Sequence, residues 1–235
     1  MSENSESSAF TEAYRYLRQQ IRDGRLASGT RIKAEEIAAE LGLSRMPVRE
    51  AIRQLDSEGL LTIRPNRGAV VTKLNSVDIL ELFEMRSVLE GLAIRRAIGL
   101  FDEDGFDELE LLLLRLGRAQ NDFDQWIGRH NEFHDAICSR GGSPRMIAYV
   151  HRLRTAVEPY LRMALGTPRA SGIVEEHRQL IDALRSGDPQ AAEDLMREHI
   201  RGTAFELIAL MDESAEMAAP IQATSKHRRK SQSVT

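Results

Sequence analysis

Apolar residues recur at helical spacing along almost the whole chain and alternate in only one short stretch. Over 9–24, Tyr14, Leu17 and Ile21 fall three and four apart, and Gly24 ends the run. Over 34–41, Ile37, Ala38 and Leu41 share a face that Gly42 closes. Ser44 then offers an N-cap, and Pro47 falls in the first turn, where a missing N–H is tolerated. The helix that follows runs to about Glu58, with Val48, Ala51, Ile52 and Leu55 as its apolar back and Gly59 as its stop. The pattern next becomes two short strands, 60–64 and 69–73, joined by the turn-rich Pro65-Asn66-Arg67-Gly68. Three helices and a two-stranded wing predict a winged helix-turn-helix over 9–74.

From residue 75 the strand signal disappears. Helical periodicity covers about 76–99, 103–121, 124–140, 144–165, 171–186 and 188–211, broken at Gly99, Asp122, Gly141-Gly142, 166–168 and 187–189. Six helices with short connections predict an antiparallel all-helical bundle over 75–212. The fold class is therefore mainly α. Residues 1–8 are expected to be disordered, and 213–235, with Lys226-His227-Arg228-Arg229-Lys230, to form a flexible basic tail.

With 42% hydrophobic and 29% charged residues, the 235-residue chain reads as globular, with room for two cores. No apolar run approaches the roughly 18 residues of a membrane span, and the N-terminus lacks a signal-peptide pattern. The lone cysteine, Cys138, allows no intrachain disulfide and fits a reducing cytoplasm. The net charge of −4 argues against a generally basic nucleic-acid binder, but its distribution alters that conclusion. Residues 1–74 hold 12 Lys/Arg against 10 Asp/Glu, whereas 75–212 hold 16 against 24. A mildly basic head on an acidic body suggests one module for phosphate and another for something else.

The head carries the sharper pattern. Arg45, Arg49 and Arg53 recur every four residues and line one side of the third helix, opposite its apolar back. Arginines in the first two turns of such a helix suit base readout in the major groove, with Arg53 one turn on suited to a phosphate. Arg67 and Gly68 at the wing tip suit backbone or minor-groove contact. The residues 41–71, LGLSRMPVREAIRQLDSEGLLTIRPNRGAVV, resemble the winged-helix signature of the GntR family of transcription regulators. Ser44-Arg45-Met46-Pro47-Val48-Arg49-Glu50-Ala51-Ile52, completed by Leu55, matches that family's S-R-x-P-V-R-E-A-[LI]-x-x-L pattern. The resemblance implies that Ser44, Arg45, Arg49, Arg53, Arg67 and Gly68 meet double-stranded DNA. Met46 stands where threonine is common in the family, and Lys33-Ala34-Glu35-Glu36 where many members carry Pro-Ser-Glu.

The body holds a second pattern. His130 and His134, four apart, share a face with Trp126, Phe133 and Ile137. His177 lies on a stripe with Ile173, Leu180, Ile181 and Leu184, and His199 on one with Ala192, Leu195 and Thr203. Four histidines on three inward faces could be core residues with hydrogen-bond partners, or could converge on a transition metal such as zinc or nickel. His151 and His227 lack such placement. Residues 76–212 look like the FCD effector domain of the FadR-type subfamily. Phe133-His134, His177 and His199 match its three metal histidines, and His130 takes its Asp or Asn position, with Asn131, one residue on and about 100° around the helix, as a second candidate. Arg86, in an R-x-x-[LI]-E pattern with Leu89 and Glu90, matches a candidate effector contact; Arg152, Arg154 and Arg162 are looser candidates.

The resemblance implies a homodimeric, cytoplasmic, nucleoid-associated regulator, most often a repressor in such families, that binds a palindromic operator and responds to a small organic acid. The alternative is a metal-sensing or metal-stabilised regulator without an acid effector. A metal hydrolase is not expected: no H-E-x-x-H occurs, and Glu176 and Glu198 precede His177 and His199 by one residue, about 100° around the helix.

Overall fold

The computed structural model describes residues 2–64, 68–119, 121–162 and 168–218. The N-terminal helices assemble because each has one apolar stripe. α1 (Ser2–Arg22) buries Ala13, Leu17 and Ile21, and α2 (Ala34–Leu41) buries Ile37 and Ala38 before Gly42 stops it in the left-handed region at φ 67°. α3 (Arg45–Ser57) buries Val48, Ala51, Ile52 and Leu55 in the same cluster. β1 (Arg31–Ile32), β2 (Leu61–Arg64) and β3 (Gly68–Val71) form an antiparallel sheet in the order β1-β3-β2, with Leu61 opposite Val71 and Arg64 opposite Gly68.

Three expectations need correction here. The wing sheet has three strands, because Arg31 and Ile32 pair with Val70 and Ala69; a two-residue strand carries no periodicity to read. Residues 2–8 continue α1 instead of being disordered, since extending a formed helix avoids the cost of nucleating one. The last helix runs on to Ala218, so 213–218 are helical and not tail. That segment, Glu-Ser-Ala-Glu-Met-Ala, contains no glycine or proline and is rich in good helix formers. The remainder of the expected tail, including 226–230, lies outside the described residues, as does Arg67.

The second group comprises α4 (Ser76–Ala97), α5 (Glu103–Arg118), α6 (Phe123–Gly141), α7 (Pro144–Leu161), α8 (Pro168–Ser186) and α9 (Pro189–Ala218). All six expected bundle helices are present, with ends shifted by a few residues. α4 starts at a reciprocal cap in which Asn75 accepts from the backbone of Val77 and Asp78 while Asp78 accepts from Asn75 N. It lies at the centre, against α6, α7 and α9. Phe83, Phe133, Ile94, Leu109, Leu180 and Met196 are fully buried around it. Gly141 permits the closest approach: a Cβ there would lie 1.9 Å from the carbonyl oxygen of Ala93 on α4. Among the described residues, no helix is long and apolar enough to cross a membrane.

The two groups meet along α7. Glu158 takes Arg18 Nη2 at 2.9 Å and Arg22 Nη1 at 3.5 Å, both from α1. Arg162 reaches Asp23 at 3.1 Å, and Tyr160 Oη accepts from Leu74 N at 2.7 Å in the connecting segment.

Candidate metal centre and nucleic-acid interface

α3 is held by its apolar back, so its other side faces outward. Arg45, Arg49 and Arg53 are all exposed there, as their four-residue spacing requires. Ser44 occupies the N-cap position, but its side chain makes no capping bond. The third helical residue is Pro47, which has no N–H to offer it. The exposed hydroxyl is thus not committed to the helix. Arg49 and Arg53 share a groove of about 370 Å³ with Arg31, Lys33 and Gly68, between α3 and the wing. Gly68 has φ 75°, and Arg31 Nε lies 3.7 Å from the point where a Cβ on Gly68 would sit. Arg45 approaches Glu35 at 3.8 Å, with both side chains exposed, a contact worth at most about 1 kcal/mol and easily exchanged for a phosphate. Arg31 escaped sequence reasoning because only its pairing with Val70 brings it beside the wing glycine.

The four histidines come together. α6 presents His130 and His134, α8 presents His177 and α9 presents His199; all are buried, and one nitrogen from each lies within 4.8 Å of the others. Ring centroids are separated by between 4.6 Å for His130–His134 and 6.0 Å for His130–His199.

Their outward partners fix their orientation. His177 Nδ1 donates to the Ile173 carbonyl at 2.7 Å, which leaves Nε2 with its lone pair. His199 Nδ1 lies 2.6 Å from Oε2 of Glu176. His134 Nδ1 lies 2.8 Å from Oε2 of Glu90, though without hydrogen-bond geometry. Nε2 of His134, Nε2 of His177 and Nδ1 of His130 are buried with no hydrogen-bond partner in the protein. Each such unmet nitrogen costs about 1–3 kcal/mol. A cation at the centre would satisfy these lone pairs, so the donor set fits a transition metal.

The electrostatics agree. Burial and repulsion among the rings hold His130 and His177 well below the usual histidine range. Burial lowers His134 to about 4 despite Glu90, so these rings are neutral and competent ligands at neutral pH. Burial pushes Glu90 up, but Arg154, Arg86 and His134 together hold it well below the carboxylate range. Glu90 is fully buried and takes Arg86 Nε at 3.0 Å, Arg154 Nε at 3.2 Å and Arg154 Nη2 at 2.6 Å. Burial lowers the Arg86 pKa, against the pull of Glu90.

The other candidates fall in different places. Arg86 is buried beside Phe83, with its guanidinium carbon 4.8 Å from the ring centroid. Arg154 is committed to Glu90 and to Asp135 at 2.5 Å, and Arg162 to Asp23 and Asp124. Arg152 is exposed at the cleft between the two helical groups. His151 is outside the cluster and pairs with Asp135 at 2.9 Å. Glu176, one residue before His177, does point away from that ring, and in doing so it reaches His199 across the α8–α9 contact. The four-residue spacing of Arg86 and Glu90 was the available signal for the buried pair.

Comparison with known proteins gives a consistent picture. Residues 10–71 match "Bacterial regulatory proteins, gntR family" and residues 81–202 match "FCD domain". The chain is 31% identical, over 77% of its length and 80% of the relative's, to a probable D-xylose utilization operon transcriptional repressor of Paenarthrobacter nicotinovorans. It is 24% identical to the HTH-type transcriptional repressor RspR of Escherichia coli, over 87% and 91%. Among solved structures, E. coli McbR/YncC superposes with a TM-score of 0.71 at 25% identity, covering 88% of this chain and 98% of that one.

Proposed function

The chain belongs to the GntR family of bacterial regulatory proteins, a DNA-binding transcription regulator whose second half is an FCD domain, and from that premise we propose a repressor whose operator affinity is set by a small carboxylate at a histidine-bound metal. His134, His177, His199 and His130 hold the ion in this reading, and a zinc or nickel ion suits an all-imidazole set. The ion supplies a Lewis-acidic position for a carboxylate oxygen. The observation that carries the reading is the buried, partnerless ring nitrogens of His130, His134 and His177 within a cluster of four histidines.

Charge argues for an acid. A divalent ion adds positive charge to a core where Arg86 and Arg154 already surround one fully buried carboxylate, Glu90. An anion relieves that excess, and Arg86 is the side chain that would hold its far end. On the DNA side, Arg45 and Arg49 read bases, while Ser44, Arg53, Arg67 and Gly68 position the duplex. Homodimerisation, with two winged helices over a palindrome, belongs to the same reading; exposed Met85 and Val88 on α4 and Tyr149 on the adjoining α7 favour it. The chain performs no catalysis in this account, in keeping with relatives named as transcription regulators.

The experiment is a thermal-shift screen of small mono- and dicarboxylates against zinc-loaded and chelator-treated protein. A metal-dependent stabiliser supports the reading. Stabilisation by zinc alone, with no acid active, would favour a metal sensor.

A further inference from the structure

The histidine cluster and the DNA-reading helix lie in different apolar clusters, so some physical connection has to link them if one controls the other. A series of polar contacts, joined through one turn of α7 and one turn of α1, runs between them. Oε2 of Glu90 lies 2.8 Å from His134 Nδ1 and 2.6 Å from Nη2 of Arg154. Arg154 is on α7, and one turn further along the same helix is Glu158. Glu158 is 5% exposed and takes Arg18 at 2.9 Å and Arg22 at 3.5 Å. One turn before Arg18 on α1, Tyr14 Oη donates to Glu58 at 2.9 Å. Glu58 is the C-cap of α3, the helix that carries Arg45 and Arg49.

We propose that Glu90, Arg154 and Glu158 form a relay that transmits the state of the histidine cluster through α7 to α1 and so to α3. This rests on the reading of the histidines as a metal centre. With a cation on Nε2, the His134 proton is confined to Nδ1, 2.8 Å from Oε2 of Glu90, and a small turn of the ring would bring that contact into hydrogen-bond geometry. It then competes for Oε2 of Glu90, the oxygen that also holds Arg154 Nη2. Arg154 has an alternative anchor in Asp135 at 2.5 Å, so its guanidinium can redistribute between the two carboxylates without losing all ionic contact. Arg154 and Glu158 share one helix, so that redistribution shifts α7 against α1. The junction is tight elsewhere too: a Cβ on Gly59, just after α3, would lie 3.3 Å from Ala156 Cβ on α7. Two close-packed helices pass a small displacement on more readily than they absorb it.

Glu158 is a positioning residue here, since it touches neither the cluster nor DNA. The test compares the full-length wild type with Glu158→Gln, and reads three quantities with and without zinc. These are zinc affinity by chelator competition, amide exchange across α1 with α5 as the internal control, and affinity for an operator duplex selected from a random pool. The relay predicts that Glu158→Gln binds zinc within about twofold of wild type. It also predicts that the variant loses most of the zinc-induced change in α1 exchange and in DNA affinity. A full wild-type response in Glu158→Gln overturns the relay, as does zinc binding to wild type with α1 unmoved. Failure of zinc to bind at all would sink the metal reading instead. The relay is then tested by Glu90→Gln, or by Arg154→Lys if that variant misfolds. Either change must alter α1 exchange in the wild-type background and leave it unaltered in Glu158→Gln, and any other pattern rejects the relay.

Discussion

Glu176 and His199 lie on consecutive helices, and the carboxylate of the first sits 2.6 Å from Nδ1 of the second. That contact fixes the orientation of the His199 ring within the cluster. Outer partners of this kind set both ring orientation and ligand basicity. Glu176→Gln keeps the shape and weakens the acceptor, so zinc affinity should fall about 10- to 100-fold, measured by chelator competition. An unchanged affinity would mean that Glu176 has no part in the site.

The recognition helix makes a separable prediction. Arg49→Ala should cost about 1–3 kcal/mol of operator binding and relax selectivity at one base position. Arg53→Ala should instead weaken all sequences alike and lower the salt dependence by about one counterion. Fluorescence anisotropy over a salt series distinguishes the two.

Glu90 should contribute strongly to stability. Glu90→Ala leaves Arg86 and Arg154 as buried cations facing each other without their shared carboxylate. Breaking a buried pair by removing one partner costs about 3–5 kcal/mol, which chemical denaturation of the full chain would show. A cost within the error of the measurement would contradict the burial described for this group.

The metal-free protein should lose stability in acid. The folded His134 pKa, about 4, lies below its ordinary value of 6.5, so between those two pH values the unfolded chain binds more protons than the folded one. Stability in the presence of chelator therefore rises with pH through that window. The depressed His130 and His177 act in the same direction. Melting temperatures recorded from pH 4 to 7 check the sign, and zinc should stabilise least at the acid end of that range because proton and metal compete for the same lone pairs.

Much of this was legible in the chain. The arginines four apart faced outward because Val48, Ala51 and Leu55 had to face inward, and that requirement is local to one helix. The histidines lay on inward stripes, which put each in the bundle core, while the packing of α6, α8 and α9 is what brings them together. What could not be read was anything decided between elements. The Glu90–Arg154 pair joins residues 64 apart, and Glu176 meets His199 only because α8 and α9 pack together. Arg31 gained its place through a strand too short to show a period. Ser44 had the right residue type for a cap, but Pro47 removed one of the donors that a cap needs.

The most direct test of the account is the affinity of the full-length protein for its selected operator, measured with zinc and across a panel of small carboxylates, in wild type and in His177→Ala. The account predicts that at least one acid shifts the dissociation constant tenfold or more in zinc-loaded wild type and leaves His177→Ala unmoved. Operator affinity indifferent to every acid in the zinc-loaded wild type, or an acid response that survives intact in His177→Ala, would contradict it.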